Sequence, residues 1–332
     1  MAESAIQNVA VCGAGVFGLN HLRVYRALQQ SGLPIRLAAI VETDANRAAA
    51  LKQEWGVPVF SSIEACLADC HIDAASVCVP TVWHHQIASA LLSAGVDVLV
   101  EKPIAASLEE AEQLISLAEK HQRILQVGHL ERFNPAVMAL HDLLNGPMFF
   151  EAHRLSVFSP RSLDVDVVLD LMIHDLDIVL TIAQSPVSQV HAVGLPILSP
   201  KVDIANVRIE FESGCVANFT ASRVSTERVR KLRFFQPHQY VSIDYARQDL
   251  LLINVAANAS ANPSAGLNMQ KPRITPGEPL RLEIESFLDC NRNRQQPVVS
   301  SKDGSAALAL ALQINAAIAD HSHRAGLDRY SH

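Results

Sequence analysis

The sequence lacks the features that mark nucleic-acid-binding, secreted and membrane proteins. Its net charge is −7, and its densest basic segment, Arg228–Arg233, alternates like a strand with one solvated face. Residues 1–7 show no basic segment leading into an apolar one, and no apolar run in the chain reaches membrane-spanning length. We therefore expect a cytoplasmic protein that binds neither nucleic acid nor membranes.

The six cysteines lack the paired spacing of a structural zinc site. Cys66 and Cys70 have helical spacing, but no second pair matches them. Cys12 and Cys78 fall within predicted buried strands. We expect these cysteines to serve as small buried apolar residues.

Residues 8–42 carry the pattern of a complete nucleotide-binding unit. The apolar run Val9–Cys12 leads into Gly-Ala-Gly-Val-Phe-Gly, a G-x-G-x-x-G motif where a strand meets a helix. The first glycine allows the tight turn, the second lets a pyrophosphate approach the backbone, and the third lets the helix pack closely. The second strand ends at Glu42, whose carboxylate can bind an adenosine ribose and repel a 2′-phosphate. The expected cofactor is NAD, bound by Gly13, Gly15, Val16, Phe17, Gly18 and Glu42.

The chain is long enough for two cores, and its pattern changes near residue 128. It has 332 residues, of which 49% are hydrophobic and 18% charged, as in a globular protein. Helices and strands alternate up to Val127, which predicts a parallel sheet with helices on both faces. Strands with few helices between them follow, which predicts a mixed or antiparallel sheet. The expected fold is α/β, with a Rossmann domain at 1–127 and an α+β domain with an open, mostly antiparallel sheet at 128–332.

Within the second domain, helices are predicted over Pro135–Leu144 and Val165–Ala183. Residues 256–278 are rich in Ala, Asn, Ser and Pro, and are predicted to form a long loop, either an oligomer arm or a surface excursion. On the uncovered face of the sheet, alternating apolar residues would leave an exposed patch, namely Val207, Ile209 and Phe211. A symmetric sheet-to-sheet contact would bury that patch, so we expect a homodimer or homotetramer.

Candidate site residues follow the carboxyl ends of the predicted parallel strands, where ligands bind in open sheets. Lys102 comes directly after an apolar strand and before Pro103, whose fixed backbone angle would hold it towards the nicotinamide. Its ammonium could hydrogen-bond a substrate hydroxyl, or act as a base after losing its proton. An ordinary surface lysine is the alternative. Further candidates at these strand ends are Pro80, His84, Glu101, Arg132 and Asn134.

The predicted helix Val165–Ala183 carries a second candidate group. Asp170 and His174 are four residues apart and therefore share a helix face. An imidazole titrates near neutral pH, so His174 could accept a hydroxyl proton while Asp170 orients it or binds a neighbouring hydroxyl. The alternative is an acidic first turn favoured by the helix dipole, with a structural histidine. Asp177 could join them around a metal ion, but no second ligand cluster accompanies them, so no metal is expected.

Together these motifs resemble the Gfo/Idh/MocA family over nearly the whole chain. The resemblance is carried by the glycine motif, the turn at 80–84, Glu-Lys-Pro at 101–103 and Asp-x-x-x-His at 170–174. It implies that Lys102, Asp170 and His174 face the nicotinamide and act on a sugar carbinol. Met172 stands where the family usually has glycine, which implies a narrower pocket, and Glu42 stands where aspartate is more usual.

Segments 128–135, 159–166 and 171–177 are similar to a subgroup of the family that oxidises C3 of UDP-N-acetylglucosamine. This implies a 3-keto nucleotide sugar for a partner aminotransferase of lipid A synthesis. It also implies a substrate site containing Arg132, Asn134, Arg154, Arg161, Asp170 and His174. The arginines could bind the diphosphate or serve in ordinary ion pairs. One alternative is a dehydrogenase or reductase of a free sugar, inositol or related polyol, and another is a non-catalytic nucleotide-sensing regulator.

Overall fold

The computed structural model describes residues 6–159, 165–255 and 267–327. These residues belong to two compact units. One unit comprises Met1–Leu130 and Glu278–Ser305, and the other comprises Glu131–Gly277 and Ala306–His332. The expected division at residues 127 and 128 is close to the first of these boundaries. However, the expected division assigned residues 278–305 to the second domain, whereas they belong to the first unit.

The first unit is built on a parallel sheet. Its strands are β1 (Gln7–Cys12), β2 (Ile35–Val41), β3 (Val59–Phe60), β4 (Ala74–Val77), β5 (Asp97–Glu101) and β6 (Leu125–Gly128). Its helices are α1 (Val16–Gln30), α2 (Ala45–Trp55), α3 (Ile63–Asp69), α4 (His84–Ser93), α5 (Leu108–His121) and, later in the chain, α8 (Pro279–Asn293). Within the described residues the strand order is β3-β2-β1-β4-β5-β6, and every neighbouring pair is parallel. The order reverses between β1 and β4, which confirms a Rossmann sheet. In sheets of this kind, ligands bind at such a switch point.

Helix α8 joins the first unit through its apolar stripe. Leu280, Ile284 and Phe287 pack in the same core as Val9 of β1 and Leu22 of α1. An apolar stripe shows that a helix must pack against another element, but the stripe does not identify that element. The sequence pattern alone therefore could not assign this helix to the first domain.

The second unit is built on an open, mostly antiparallel sheet, as expected. Its strands are β7 (Phe149–Leu155), β8 (Val187–Leu195), β9 (Ile204–Phe211), β10 (Val216–Ser222), β11 (Val229–Gln236), β12 (Gln239–Asp244), β13 (Asp249–Val255) and β14 (Leu267–Gln270). Its helices are α6 (Pro135–Met138) and α7 (Ile173–Ala183), and α9 (Ser301–Arg324) has its first residues in the first unit. In the described part of the chain the order is β14-β13-β12-β11-β7-β10-β9-β8. Of these neighbours only β7 and β10 run parallel.

Three predicted elements of this unit are shorter or different. The helix expected over Pro135–Leu144 is α6, followed by a separate 3-10 turn at His141–Leu143. The helix expected over Val165–Ala183 begins with a π-helical turn, Val168–Met172, and becomes α-helical only at Ile173. Of the loop expected at 256–278, residues 256–266 lie outside the described residues, and Leu267–Gln270 pairs with β13 as an edge strand. The prediction of a continuous loop was therefore wrong for β14.

The face assigned to the apolar residues of β9 was also wrong. Val207, Ile209 and Phe211 are buried in the core that contains Ile173 and Leu176 of α7, so they leave no exposed patch. Side chains alternate along a strand, and the opposite face of β9 therefore carries Asn206, Arg208 and Glu210. The expected oligomer remains a prediction, but it cannot rest on these three apolar residues.

Candidate active site

The glycine turn is built by close packing at the end of β1. Gly13 has φ +87°, and a Cβ there would lie 2.9 Å from the carbonyl carbon of Cys78. A Cβ on Gly18 would lie 1.9 Å from the carbonyl oxygen of Gly13, so α1 can approach the turn only without one. Gly15 has open space where its Cβ would be. This is the arrangement that lets a pyrophosphate reach the N-terminus of α1.

Glu42 lies at the end of β2 with its carboxylate turned towards the glycine turn. It is 7% exposed and accepts hydrogen bonds from the backbone N–H of Ala14 at 3.2 Å and of Asp44 at 3.0 Å. The Nη1 atom of Arg47, on α2, lies 3.4 Å from its Oε2 atom. A carboxylate held at this position is suited to accept hydrogen bonds from ribose hydroxyls.

A cleft of about 760 Å³ opens beside these residues. Of the expected cofactor ligands, those lining it are Gly13, Gly15, Val16, Phe17, Glu42 and Pro80. The sequence interpretation missed further lining residues, including Arg47, Ser61, Ser62, Trp83, Gln86 and Ile87. Ser61 and Ser62 directly follow β3, so the strand-end rule applied to that short strand would have found them.

Three predicted cofactor ligands, His84, Glu101 and Lys102, are not among the residues that line the cleft. His84 is buried, with Nδ1 2.9 Å from the carbonyl oxygen of Pro103 and Nε2 2.9 Å from that of Val79. Burial lowers the pKa of His84 although both carbonyls oppose that shift, so the neutral ring donates to one carbonyl at a time. His84 therefore joins the loops that follow β4 and β5. Gly18 is also not among the residues that line the cleft, and its role is to let α1 pack closely against the carbonyl of Gly13.

Lys102 follows β5 directly and is half-buried. Its peptide bond to Pro103 is cis, and its backbone N–H donates to Oε2 of Glu101 at 3.3 Å. The main chain at Lys102 is thus held by the preceding side chain as well as by the strand. Lys102 belongs to the first unit, whereas Asp170 and His174 belong to the second.

Asp170 lies in the π-helical turn, and His174 is the second residue of α7. Both are half-buried. A π-helical turn is wider than an α-helical one, so the regular spacing assumed for this pair does not apply. Such turns occur frequently at functional sites, and this one coincides with the predicted catalytic aspartate.

Arg154 does not fit its expected role as a substrate ligand. Its Nε and Nη2 atoms donate to Asp175 at 2.7 and 3.0 Å, and its Nη1 atom donates to Glu131 at 3.0 Å. It is 3% exposed. Burial lowers the pKa of Arg154, but the carboxylates of Asp175 and Glu131 together outweigh burial and hold that pKa well above the ordinary value. This pairing uses the guanidinium within the protein, so Arg154 anchors α7 to β7 rather than binding phosphate.

The other predicted substrate ligands have mixed outcomes. Asn134 is buried and caps α6, with its Nδ2 atom donating to the carbonyl of Tyr245 at 3.0 Å, so it too is structural. Arg132 lies 3.2 Å from Asp177 through Nε and is mostly buried. Arg161 lies outside the described residues. Asp175 and Asp177 were missed as anchors of α7, although acidic residues within so apolar a helix require buried partners.

Two kinds of feature are absent from the described part of the chain. It contains no group of three or more His, Cys, Asp or Glu side chains that could hold a metal ion. It also contains no helix that is both long and apolar enough to cross a membrane.

Comparison with known proteins agrees with this geometry. Residues 7–129 match the Gfo/Idh/MocA oxidoreductase family in its NAD-binding Rossmann fold, and residues 149–236 match the family's C-terminal domain. The chain belongs to the Gfo/Idh/MocA family. It is therefore an oxidoreductase, and its N-terminal unit is an NAD-binding Rossmann domain.

Individual family members are similar over nearly the whole chain. UDP-N-acetylglucosamine 3-dehydrogenase of Acidithiobacillus ferrooxidans is 34% identical over 92% of this chain and 96% of that protein. Its solved structure has a TM-score of 0.85 and covers 94% of this chain and 97% of its own. Myo-inositol 2-dehydrogenase of Thermotoga maritima is 24% identical over 91% of this chain and 93% of that protein. The structure of levoglucosan dehydrogenase with NADH and L-sorbose has a TM-score of 0.83 and covers 95% of this chain and 97% of its own. Its identity is 19%, so this similarity shows the shared fold alone.

The residues of this family member fit the cofactor. The open space at Gly15 lies at the start of α1, where backbone N–H groups can receive a pyrophosphate. The Glu42 carboxylate lies in the same cleft, at the place of the ribose. NAD, when bound, supplies the hydride acceptor at its nicotinamide ring.

Proposed function

We propose that this oxidoreductase oxidises a ring hydroxyl of a sugar with NAD, and that the substrate is UDP-N-acetylglucosamine oxidised at C3. The observation that carries the proposal is the similarity to UDP-N-acetylglucosamine 3-dehydrogenase, which spans both units at 34% identity. The residues predicted to act on the carbinol support it. Lys102 has a fixed main chain after β5, and Asp170 and His174 lie where a π-helical turn meets α7.

In this reaction bound NAD would supply the acceptor for the hydride of the carbinol C–H bond, and residues of this chain would handle the hydroxyl proton. The hydroxyl proton moves to Lys102 or His174, leaving a ketone. Asp170 orients the imidazole or binds a neighbouring hydroxyl. The role of Lys102 is either to take the proton or to stabilise the alkoxide with its ammonium.

A nucleotide diphosphate requires cations that a free sugar does not. We propose Arg161 and Arg132 as its ligands and exclude Arg154, whose guanidinium is paired with two buried carboxylates. The 3-keto product is suited to an aminotransferase, which would place the enzyme before amination in lipid A synthesis.

A second candidate substrate is a free polyol such as inositol. It is favoured by the similarity to myo-inositol 2-dehydrogenase, which spans 91% of the chain at 24% identity. The two candidates differ in whether the ring carries a diphosphate. They can therefore be separated by comparing substrates that share a ring.

The test is NADH formation by the purified protein with UDP-N-acetylglucosamine, free N-acetylglucosamine and myo-inositol. We expect turnover with the nucleotide sugar only, and deuterium placed at its C3 should appear in the NADH. Lys102→Ala and His174→Ala should each lower kcat far more than they weaken NAD binding, and the double variant should be little worse than the worse single. Lys302→Ala, an exposed change far from the glycine turn in sequence, is the matched control.

Turnover with inositol and none with UDP-sugars would replace the proposed substrate while leaving the family assignment in place. Near-normal turnover by Lys102→Ala would remove Lys102 from the mechanism.

A further inference from the structure

A chain of buried side chains ends at the backbone of Lys102. Oε1 of Glu101 lies 3.0 Å from Nε2 of His21, whose Nδ1 lies 3.0 Å from Oγ of Ser76. Oγ of Ser76 lies 2.8 Å from the hydroxyl of Tyr25. The second carboxylate oxygen of Glu101 accepts the backbone N–H of Lys102. The chain thus links α1, β4 and β5.

One set of proton positions satisfies all of these contacts. In this set Tyr25 donates to Ser76, the Ser76 hydroxyl donates to Nδ1 of His21, and the Nε2–H of His21 donates to the Glu101 carboxylate. His21, Ser76 and Tyr25 are all fully buried. Buried polar groups are costly unless each has a partner, so this chain defines one position for the Glu101 carboxylate.

Gly128 provides the space for that carboxylate. A Cβ on Gly128, at the end of β6, would lie 2.8 Å from Oε1 of Glu101 and 2.9 Å from its carboxyl carbon. Any larger residue would therefore push the carboxylate away from His21. Glycine is required at position 128 because a larger side chain would collide with the Glu101 carboxylate, and not because of the backbone angles.

We propose that His21, Glu101 and Gly128 are positioning residues that hold the main chain of Lys102 in its reactive geometry. This inference rests on the proposed function, in which Lys102 takes part in proton transfer. Losing the His21 donor leaves the 8%-exposed carboxylate short of a partner. The carboxylate then rotates towards another hydrogen-bond donor, and its hydrogen bond from the backbone N–H of Lys102 is lost. Glu42 is separate from this chain, whereas at the glycine turn the ring of Phe17 lies 5.4 Å from that of His21, measured between centroids. Gly128→Ala leaves that ring contact in place, so this variant should preserve binding of NAD.

The experiment compares His21→Leu and Gly128→Ala, which displace the carboxylate by different means. Both should lower kcat by about ten- to a hundredfold, because a misplacement of about 1 Å can cost a hundredfold. The Kd for NAD should change by less than about threefold in Gly128→Ala, which keeps the ring contact between His21 and Phe17. The deuterium isotope effect on kcat at the carbinol carbon should rise, since the chemical step becomes more limiting.

Two matched variants separate positioning from general damage. His21→Gln keeps an N–H donor near the position of Nε2 and should restore most of kcat. Gly194→Ala adds a methyl group 2.7 Å from the Val202 side chain, in the other unit from Glu101. It should lower Tm while keeping kcat and the isotope effect. Melting curves identify any variant that fails to fold.

Normal kcat in a folded Gly128→Ala or His21→Leu protein would overturn the inference. So would a loss in His21→Leu that His21→Gln does not rescue. Lys102→Ala separates this failure from failure of the proposed function. If Lys102→Ala is inactive while the positioning variants are normal, only the inference fails, and if Lys102→Ala is active, the proposed role of Lys102 fails first.

Discussion

Two groups of opposite charge lie at the ribose end of the nucleotide cleft. The Glu42 carboxylate is buried, and the Arg47 guanidinium 3.4 Å away is on a side chain that is 53% exposed. The carboxylate disfavours a 2′-phosphate, whereas the guanidinium is the group that proteins use to bind one. Arg47 therefore has the position of a phosphate ligand whose charge is offset by its neighbour.

At the residue scale we predict that Glu42→Ser alone will admit NADP. The wild-type protein should bind NAD more tightly than NADP, and the substitution should change the ratio of the two Kd values by at least about tenfold, or about 1.4 kcal/mol. Isothermal titration with both cofactors measures the ratio. Glu42→Ser with Arg47→Ala should lose most of the gain, and Arg47→Ala alone is the control. Equal affinities in the wild-type protein would contradict the prediction.

At the scale of the element, helix α7 depends on buried ion pairs for its position. Asp175 pairs with Arg154, and Asp177 lies 3.2 Å from Arg132. Both aspartates lie in the turn of α7 that directly follows His174. A buried charge without its partner is costly, while an exposed pair contributes little. Arg154 thus fixes α7 and His174 from within the protein, whereas Arg132 both pairs with Asp177 and is the proposed diphosphate ligand.

We predict that Arg154→Met lowers the free energy of unfolding by about 3–5 kcal/mol, because Asp175 and Glu131 stay buried without their cation. Arg208→Met is the control, since Arg208 pairs with Glu210 on the exposed face of β9 and should cost about 1 kcal/mol or less. Urea unfolding followed by circular dichroism measures both. A cost for Arg154→Met no greater than that of the control would show that the buried network does not stabilise α7.

At the scale of the whole molecule, the open face of the second sheet still predicts self-association, for a reason different from the one first expected. Phe149, Phe235 and Tyr240 form an aromatic cluster there, with ring centroids 5.7 and 5.1 Å apart. Phe235 is 39% exposed, although the neighbouring side chains Phe150 and Phe234 are fully buried on the core face. Aromatic residues of this kind are enriched at interfaces between subunits.

We predict a homodimer or homotetramer that is disrupted by Phe235→Asp. Introducing a charge into a buried aromatic contact leaves that charge desolvated, so the variant should sediment as a smaller species at micromolar concentration. Val298→Asp changes an apolar residue of the first unit that is 56% exposed, more than Phe235, and should leave the sedimentation unchanged. A wild-type monomer at that concentration would refute the prediction.

Local patterns in the sequence determined the nucleotide-binding unit. The glycine turn, the strand that ends at Glu42 and the alternation of helices with strands act over a few residues, so their spacing alone predicts a Rossmann sheet and its cofactor. The family resemblance followed from motifs of the same local kind, and the placement of Lys102 directly after a strand was visible for the same reason. The roles of Lys102, Asp170 and His174 stay predictions.

Only the tertiary structure decided which charged groups are available to a ligand. From the sequence, Arg154 could bind the diphosphate or serve in an ion pair, because its partners Glu131 and Asp175 are 23 and 21 residues away along the chain. Glu101 reads as a cleft residue, yet His21 and Gly128 enclose its carboxylate from two other elements. The tertiary structure likewise decided that Val207 faces the core of the second unit and that α8 packs in the first unit. In each case the partner is distant in sequence, and a local pattern shows that a group must be buried without showing against what.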